Sequence, residues 1–288
     1  MVRKKPISKK SSAVDPSHDH YGYLHGYNRA EQERLVQQAR FYEPVVYRNV
    51  RWPEGCREVL EPGCGVGAQT EVLLRRFPQL HVTGVDRSPS QIARAKKNLA
   101  AHIRGKRATF VQGSGEKLPF EDSRFHGAWL CWLLEHVPEP VALLREVHRC
   151  LQPGALIYAT EVLNSSFFLH PYAPATLQYW FIFNDHQWNM KGDPFCGAKL
   201  GNHLLDAGFQ DIETNVCNYL LDKRTPKLRD EHLKSWHRLL LSAAPSLMEA
   251  GRVDDALLKE LDREWKAALK DPEAVLFYSF VQAKAVAL

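Results

Sequence analysis

Leu35, Ala39, Tyr42 and Val46 recur at intervals of three or four along the first patterned stretch of the chain, the period of an amphipathic helix. Asn28 stands where a cap is needed and Glu31 three residues on, so the helix is predicted to start there and to end at Trp52-Pro53 and Gly55. From Glu58 the pattern changes. Short β-branched or apolar runs alternate with amphipathic segments: "REVLEPG", "AQTEVLLRRF", "HVTGVD", "SPSQIARAKKNLAAH", "ATFVQG", "RFHGAWLCW", "PVALLREVHRCL" and "ALIYATEVL". Repeated strand-helix alternation predicts an α/β fold with a parallel, doubly wound sheet and helices on both faces. Ser88, Pro89 and Gln91 predict a helix start with proline in the first position and a Ser-x-x-Gln capping box.

Beyond that core, "NSSFFLHPYAPATLQYWFIFNDHQWNMKGDPF" keeps neither period and is expected to form a lid or substrate wall. "GAKLGNHLLDAGF" predicts a helix ending near Gly208, "DIETNVCNYLL" a strand, residues 227–268 two or more helices, and "AVLFYSFVQAKAVA" a strand returning to the sheet. The resulting division is a basic tail over residues 1–20, a lid segment and helix over 21–52, a core over 53–222 and 273–288, and a helical insertion over 223–272 before the last strand.

Composition narrows the class. The net charge of +5 is matched by five basic residues within the first ten (Arg3, Lys4, Lys5, Lys9, Lys10). The tail is expected to be a solvated, disordered terminus, and the balanced remainder gives no reason to expect a nucleic-acid partner. No apolar run approaches the ~18 residues of a membrane span and no secretory signal opens the chain, so a cytoplasmic protein is expected. The six cysteines fall at irregular spacings without a C-x-x-C pair, as reduced thiols do.

The chemistry concentrates in "VLEPGCGVGAQT", residues 59–70. Glycines 63, 65 and 67 follow a strand and precede a helix, so the backbone turns tightly and offers unpaired N–H groups to a nucleotide. Asp86 closes the next strand, where a carboxylate can accept from both ribose hydroxyls. Gly63, Gly65 and Ala68 also satisfy the dinucleotide pattern, which leaves a nicotinamide cofactor open. Glu61 at the strand tip suits a cationic ligand better than a pyrophosphate, and charge favours a sulfonium amino acid. Tyr219 and Lys223 have Y-x-x-x-K spacing but lie near a late strand, far from where a hydride-transfer site would hold them.

In order, "EPGCGVG", "VDRSP", "GSGEKLPFEDSRFH", "LLEHV", "LQPGALI" and "LLDAGFQDIE" resemble the class I S-adenosylmethionine-dependent methyltransferases of the type 11 small-molecule group. The likeness covers roughly residues 58–218, and "YLHGYNRAEQERLVQQARF" and "LFYSFVQAKAVA" resemble a subgroup of that family. The resemblance implies a Rossmann-like sheet with an N-terminal lid helix, S-adenosyl-L-methionine as cofactor, and methyl transfer to a nitrogen or oxygen of a small acceptor. It places Gly63, Gly65, Gly67 and Glu61 at the methionine and ribose portion, Asp86 on the ribose and Arg87 beside the adenine. It places a carbonyl near Leu130 or Cys131 on the ammonium group. Where the family carries an aspartate for the adenine amine this chain has Ser114, with the Gly115 and Glu116 backbone as the alternative. Ala155 replaces a glycine usual after the proline of "LQPGA".

Candidate bases are His136, His170 and His186, with His25 at the entrance. The crowded "HDHYGYLHGY", residues 18–27, lacks the cysteine or carboxylate cluster of a metal site beyond Asp19 and carries no Lys or Arg for base stacking. No metal is expected. In the subgroup the N-terminal helix covers the cofactor, so Tyr27, with Tyr21 or Tyr23, is expected to shield the methionine end. Tyr21, His25, Trp180, Trp188 and Met190 are the expected acceptor contacts, with Phe181 and Phe183 beside them. The insertion closes the pocket or forms a homodimer surface. Rival readings are an RNA or protein methyltransferase, disfavoured by "LCWLLEH" where [ND]-P-P-[YF] would stand, a nicotinamide oxidoreductase, and a non-catalytic cofactor-binding protein.

Overall fold

A computed structural model describes residues 23–288; the basic tail, with His18, His20 and Tyr21, lies outside the described residues. Strands β1 (Glu58–Pro62), β2 (His81–Asp86), β3 (Ala108–Gln112), β4 (Phe125–Cys131) and β5 (Leu151–Val162) are parallel and ordered β3-β2-β1-β4-β5. β6 (Phe168–His170) and β7 (Gln210–Leu221) join through the last strand, β8 (Val275–Val286), which runs antiparallel to β5, β6 and β7. The order reverses between β1 and β4, and a crevice opens at the carboxyl ends of strands at such a switch point.

Alternation along β4 shows how the sheet sorts its side chains. Ala128 and Leu130 join one buried cluster and Trp129 and Cys131 the other, as a two-residue period requires. Helices α5 (Pro140–Cys150) and α7 (Cys196–Asp206) cover the first face. The second face carries α1 (Arg29–Val46), α2 (Ala68–Arg76), α3 (Pro89–Asn98) and a short α4 (Ala100–Arg104). It also packs α6 (Pro174–Asn189), α8 (Pro226–Glu249) and α9 (Asp255–Ala268).

Local signals explain the helix starts. The Asn28 side chain accepts from the Glu31 backbone N–H at 3.0 Å, and Ser88 Oγ accepts from the Gln91 N–H. The second half of the Ser88 box does not form, because the Gln91 side chain instead accepts from Gln32 Nε2 on α1 at 3.1 Å. The first helix stops at Val46, one and a half turns before Trp52, where Tyr47 caps it and stacks on Trp129 at 4.6 Å between ring centroids. The aperiodic aromatic stretch contains a 16-residue helix, α6. It carries apolar side chains all round, so no amphipathic period marks it, and it takes its cap from another element. Glu264 of α9 accepts from the Ala175 and Thr176 backbone N–H groups.

Among the described residues no helix is long and apolar enough to cross a membrane. α8 and α9 occupy the segment where the helical insertion is expected.

Candidate active site

A cavity of about 430 Å³ opens at the carboxyl ends of β1, β2 and β4, under α1. Its floor is the glycine loop. Gly63, Gly65 and Gly67 all have φ between 51° and 73°, a left-handed region that glycine enters without steric cost. A Cβ on Gly65 would meet nothing within 4 Å, so the backbone there faces open cavity. Gly67 has the opposite surroundings: its Cβ would lie 2.6 Å from Leu99 Cδ1. It does not line the cavity and serves the packing of α2 against α3.

The carboxylate of Asp86 ties this loop to β2, accepting from the Gly65 N–H at 2.9 Å and the Ser88 N–H at 2.8 Å while lining the cavity. Glu61, from the tip of β1, is buried and accepts a short hydrogen bond from Thr70 Oγ1 on α2. Burial pushes its carboxyl up to about 8, against the Thr70 hydrogen bond and with the Asp86 charge adding to the rise. A cation bound beside it would favour its ionised form.

A third carboxyl stands opposite. Glu135, which lines the cavity, accepts from Gln187 Nε2 of α6 at 2.8 Å, and burial raises it to about 7. The turn that carries it is held by Glu161 of β5, whose carboxylate accepts from the Leu133 and Leu134 backbone N–H groups at 2.9 and 2.6 Å.

The roof comes from the N-terminal segment. Tyr23 stacks with Tyr27 at 5.5 Å, meets His136 edge-on at 5.0 Å and donates to Glu31 at 2.9 Å. Arg34 grips the same carboxylate through two nitrogens, both at 2.6 Å. Arg87 reaches the Tyr27 hydroxyl at 3.5 Å. Beyond this roof the wall is aromatic. Trp180 and Phe183 of α6 stack at 5.0 Å, and Trp236 of α8 packs against Trp180 at 5.5 Å.

Of the residues singled out in the sequence, Tyr27, Glu61, Gly63, Gly65, Asp86, Arg87, Ser114, Gly115 and Cys131 line this one cavity, as do His25, His136 and Trp180. Burial pushes His136 down to about 4, with Arg87 and Arg34 adding to the shift. Ser114 Oγ accepts from the Glu116 N–H at 3.2 Å, which fixes the loop it belongs to. Five others lie away from the cavity. Leu130 points to the opposite sheet face from Cys131. His170 is exposed on β6, and His186, one turn past Phe183, meets Ser246 Oγ of α8 at 3.2 Å. Trp188 is 56% exposed, and Met190 packs against the core past the end of α6. Tyr219 accepts from Trp236 Nε1 inside the core whereas Lys223 pairs with Glu273 at the surface.

Sequence reasoning missed Arg34, Gln38, Trp132, Glu135, Asn164, Trp236 and Tyr278, all cavity residues. Arg34 and Gln38 had a signal: polar residues four apart on the inner face of α1. Trp132, with φ 55° directly after β4, had none. One group of metal-ligand types among the described residues, Asp193, Cys196 and His203, lies outside the cavity, and Lys199 already pairs with Asp193.

With this geometry in view, known proteins can be compared. Residues 60–159 match the family model described as a methyltransferase domain. The chain is 34% identical over 138 residues to cycloartenol-C-24-methyltransferase 1 of Oryza sativa subsp. japonica, covering 46% of this chain and 39% of the relative. It is 25% identical over 234 residues to an uncharacterized methyltransferase of Schizosaccharomyces pombe, covering 76% of this chain and 80% of that one. Phosphoethanolamine N-methyltransferase 2 of Haemonchus contortus, solved with S-adenosyl-L-methionine, superposes with a TM-score of 0.54 at 17% identity, over 87% of this chain and 52% of that chain. In the first of these relatives the matched region is about two fifths of the whole length.

Proposed function

We propose that this chain, whose fold and matched methyltransferase domain over residues 60–159 support a class I S-adenosylmethionine-dependent methyltransferase, methylates a nitrogen or oxygen of a small, largely apolar molecule. The observation that carries this reading is the division of one cavity into two ends. The glycine loop, Asp86 and Glu61 stand at one end, and Trp180, Phe183 and Trp236 at the other.

The residues present fit the cofactor. Gly65 leaves its backbone open, Asp86 places a carboxylate where ribose hydroxyls can donate, and the raised Glu61 carboxyl gains from a nearby positive charge. S-adenosyl-L-methionine, when bound, supplies an electrophilic methyl group on a sulfonium. The chain's own part is orientation and exclusion of water. Asp86 fixes the ribose while its bond to Gly65 keeps the loop in register. Glu61 and the Cys131 region of β4 hold the cationic amino acid end. Tyr23 and Tyr27 cover it, and the aromatic wall keeps water from the acceptor.

The relative named for cycloartenol supports an apolar body for the acceptor, though its name gives carbon as the methylated atom, and the aromatic lining matches such a body. The test is calorimetry of the protein with S-adenosyl-L-methionine, S-adenosylhomocysteine and NADH, with Asp86→Ala in parallel. Binding of donor and product, none of NADH, and a loss of about 10- to 100-fold in the variant are expected, the worth of one to two charge-assisted hydrogen bonds. NADH binding, or no donor binding, would return the glycine loop to the dinucleotide class.

A further inference from the structure

His25 is buried at 7% exposure, on the stretch that leads into α1, and it lines the acceptor end of the cavity. Its Nδ1 lies 2.7 Å from Ser242 Oγ of α8, and that hydroxyl donates its one hydrogen to the Leu239 carbonyl, also at 2.7 Å. A serine hydroxyl has a single proton, so toward His25 it can only accept. With the hydroxyl hydrogen on that carbonyl, Nδ1 carries the ring hydrogen and Nε2 keeps a lone pair. Among the described residues no hydrogen bond reaches Nε2. The ring also contacts Phe183 at 5.7 Å, the first member of the aromatic wall that continues through Trp180 to Trp236.

We propose that His25, fixed in its Nδ1–H tautomer by Ser242, accepts through Nε2 the proton of the acceptor's nucleophile. The inference rests on the methyltransferase reading and deepens it: the acceptor arrives as a neutral O–H or N–H group on an apolar body. As the acceptor atom bonds the methyl carbon, the methyl–sulfur bond breaks and its electron pair stays on sulfur. The acceptor's proton passes to Nε2, and the imidazolium returns it to water when the product leaves.

The surroundings keep the lone pair available. Burial lowers the His25 pKa well below 6.5, and Arg34 from α1 and His136 from the turn after β4 oppose its protonation further. Ser242 and Phe183 bring no charge to it. Neutral imidazole therefore persists at neutral pH and into mild acid with its lone pair free; the same shift weakens it as a base, so the proton transfers as the methyl bond forms and not before it. Its neighbour His136 is held low by the same burial, but its Nε2 faces Glu135 at 3.6 Å.

The test is ring-¹⁵N NMR of the full chain saturated with S-adenosylhomocysteine, with His25→Asn to assign the resonance and 2-naphthol as a flat phenolic probe. Asparagine keeps a donor for Ser242 and removes the base. Three results are expected: an Nδ1–H tautomer that stays neutral below pH 6.5, an Nε2 resonance that moves when 2-naphthol binds, and probe affinity about 3- to 10-fold weaker in the variant, one hydrogen bond's worth. Ser242→Ala should release the tautomer into a mixture. An Nε2–H tautomer, an ordinary imidazole titration, or an Nε2 that ignores 2-naphthol overturns the proposal. So does methylation of 2-naphthol with the same pH profile in wild type and His25→Asn. Failure of S-adenosylhomocysteine to bind would instead strike the donor assignment, and the tautomer would still be readable.

Discussion

Glu61, Glu135 and Glu161 are three buried carboxyls whose burial raises them to about 8, 7 and 8. An unfolded glutamate titrates near 4.5, so the folded chain binds more protons than the unfolded one between these values. Stability contributed by each neutral carboxyl is therefore complete below about 4.5 and lost as pH rises through 7 to 8. The unfolding free energy of the free protein, read by urea titration, should fall from pH 5 to pH 8, by at most about 1.4 kcal/mol per pH unit for each group. Glu61→Gln should remove its share of the slope. At the ligand the same residue acts in the opposite direction. A bound cation favours the carboxylate, so donor binding near pH 7 should release a proton and tighten as pH rises toward 8. Calorimetry in two buffers of different ionisation enthalpy reads that proton, and Glu61→Gln should abolish the difference. Gly67 is a residue whose importance is steric. Gly67→Ala meets Leu99 in a left-handed backbone position and should cost about 1–3 kcal/mol in a denaturant titration, leaving donor affinity of the folded protein unchanged.

At the scale of elements, the turn between β4 and α5 depends on a side chain from β5. Glu161 satisfies the Leu133 and Leu134 N–H groups, which begin the turn carrying Glu135 and His136. Glu161→Ala leaves those buried donors without an acceptor and should destabilise the fold by about 2–5 kcal/mol, measured as a lowered urea midpoint. The sequence shows nothing of this dependence, because the two partners lie 27 and 28 residues apart and only the β4-β5 pairing joins them. What it does show is chemistry carried by neighbours along the chain. β1, the glycine loop, Asp86, the Asn28 cap and the half-formed Ser88 cap are each set within a few residues. α6 escapes for the complementary reason: its buried face includes Thr176, Asn184 and Gln187 while Phe181 and Trp188 stand exposed, so polarity does not follow the helical period. Trp180 and Phe183 thus belong to the cavity while Trp188, two turns beyond Trp180 on the same helix, is exposed. Composition alone does not separate them. Trp236 and Tyr278 enter the wall from α8 and β8, elements that only the tertiary fold brings to the switch point.

Taken whole, the molecule encloses the cavity between the parallel sheet and a cover made from distant parts of the chain. α1 crosses from the glycine-loop side to α8: Gln32 bonds Gln91 of α3, and Gln37 accepts from Arg238 of α8 at 3.1 Å. The buried Glu31–Arg34 pair and Tyr23 brace the roof from within, a geometry whose disruption leaves a buried charge unpaired. Residues 23–38 of this roof are held mainly by polar and ring contacts around one buried leucine, Leu24, whereas Ala39, Tyr42 and Val46 of α1 belong to the larger apolar core, and β4, β5 and β8 share long ladders. Segments with few apolar contacts open at lower free energy than the core, so residues 23–38 are the part of the roof expected to open for a ligand. Binding then couples to closure, because Tyr27 of the roof and Arg87 after β2 contact each other and both line the cavity. Hydrogen exchange should show slower amide exchange across residues 23–38 when S-adenosylhomocysteine is added, with β1 and β4 little changed. Glu31→Gln, which weakens the brace, should raise exchange of the free protein in that segment and weaken ligand affinity together. Protection confined to the glycine loop and the end of β2, with residues 23–38 exchanging as before, would show that the segment packs on the sheet without gating the cavity.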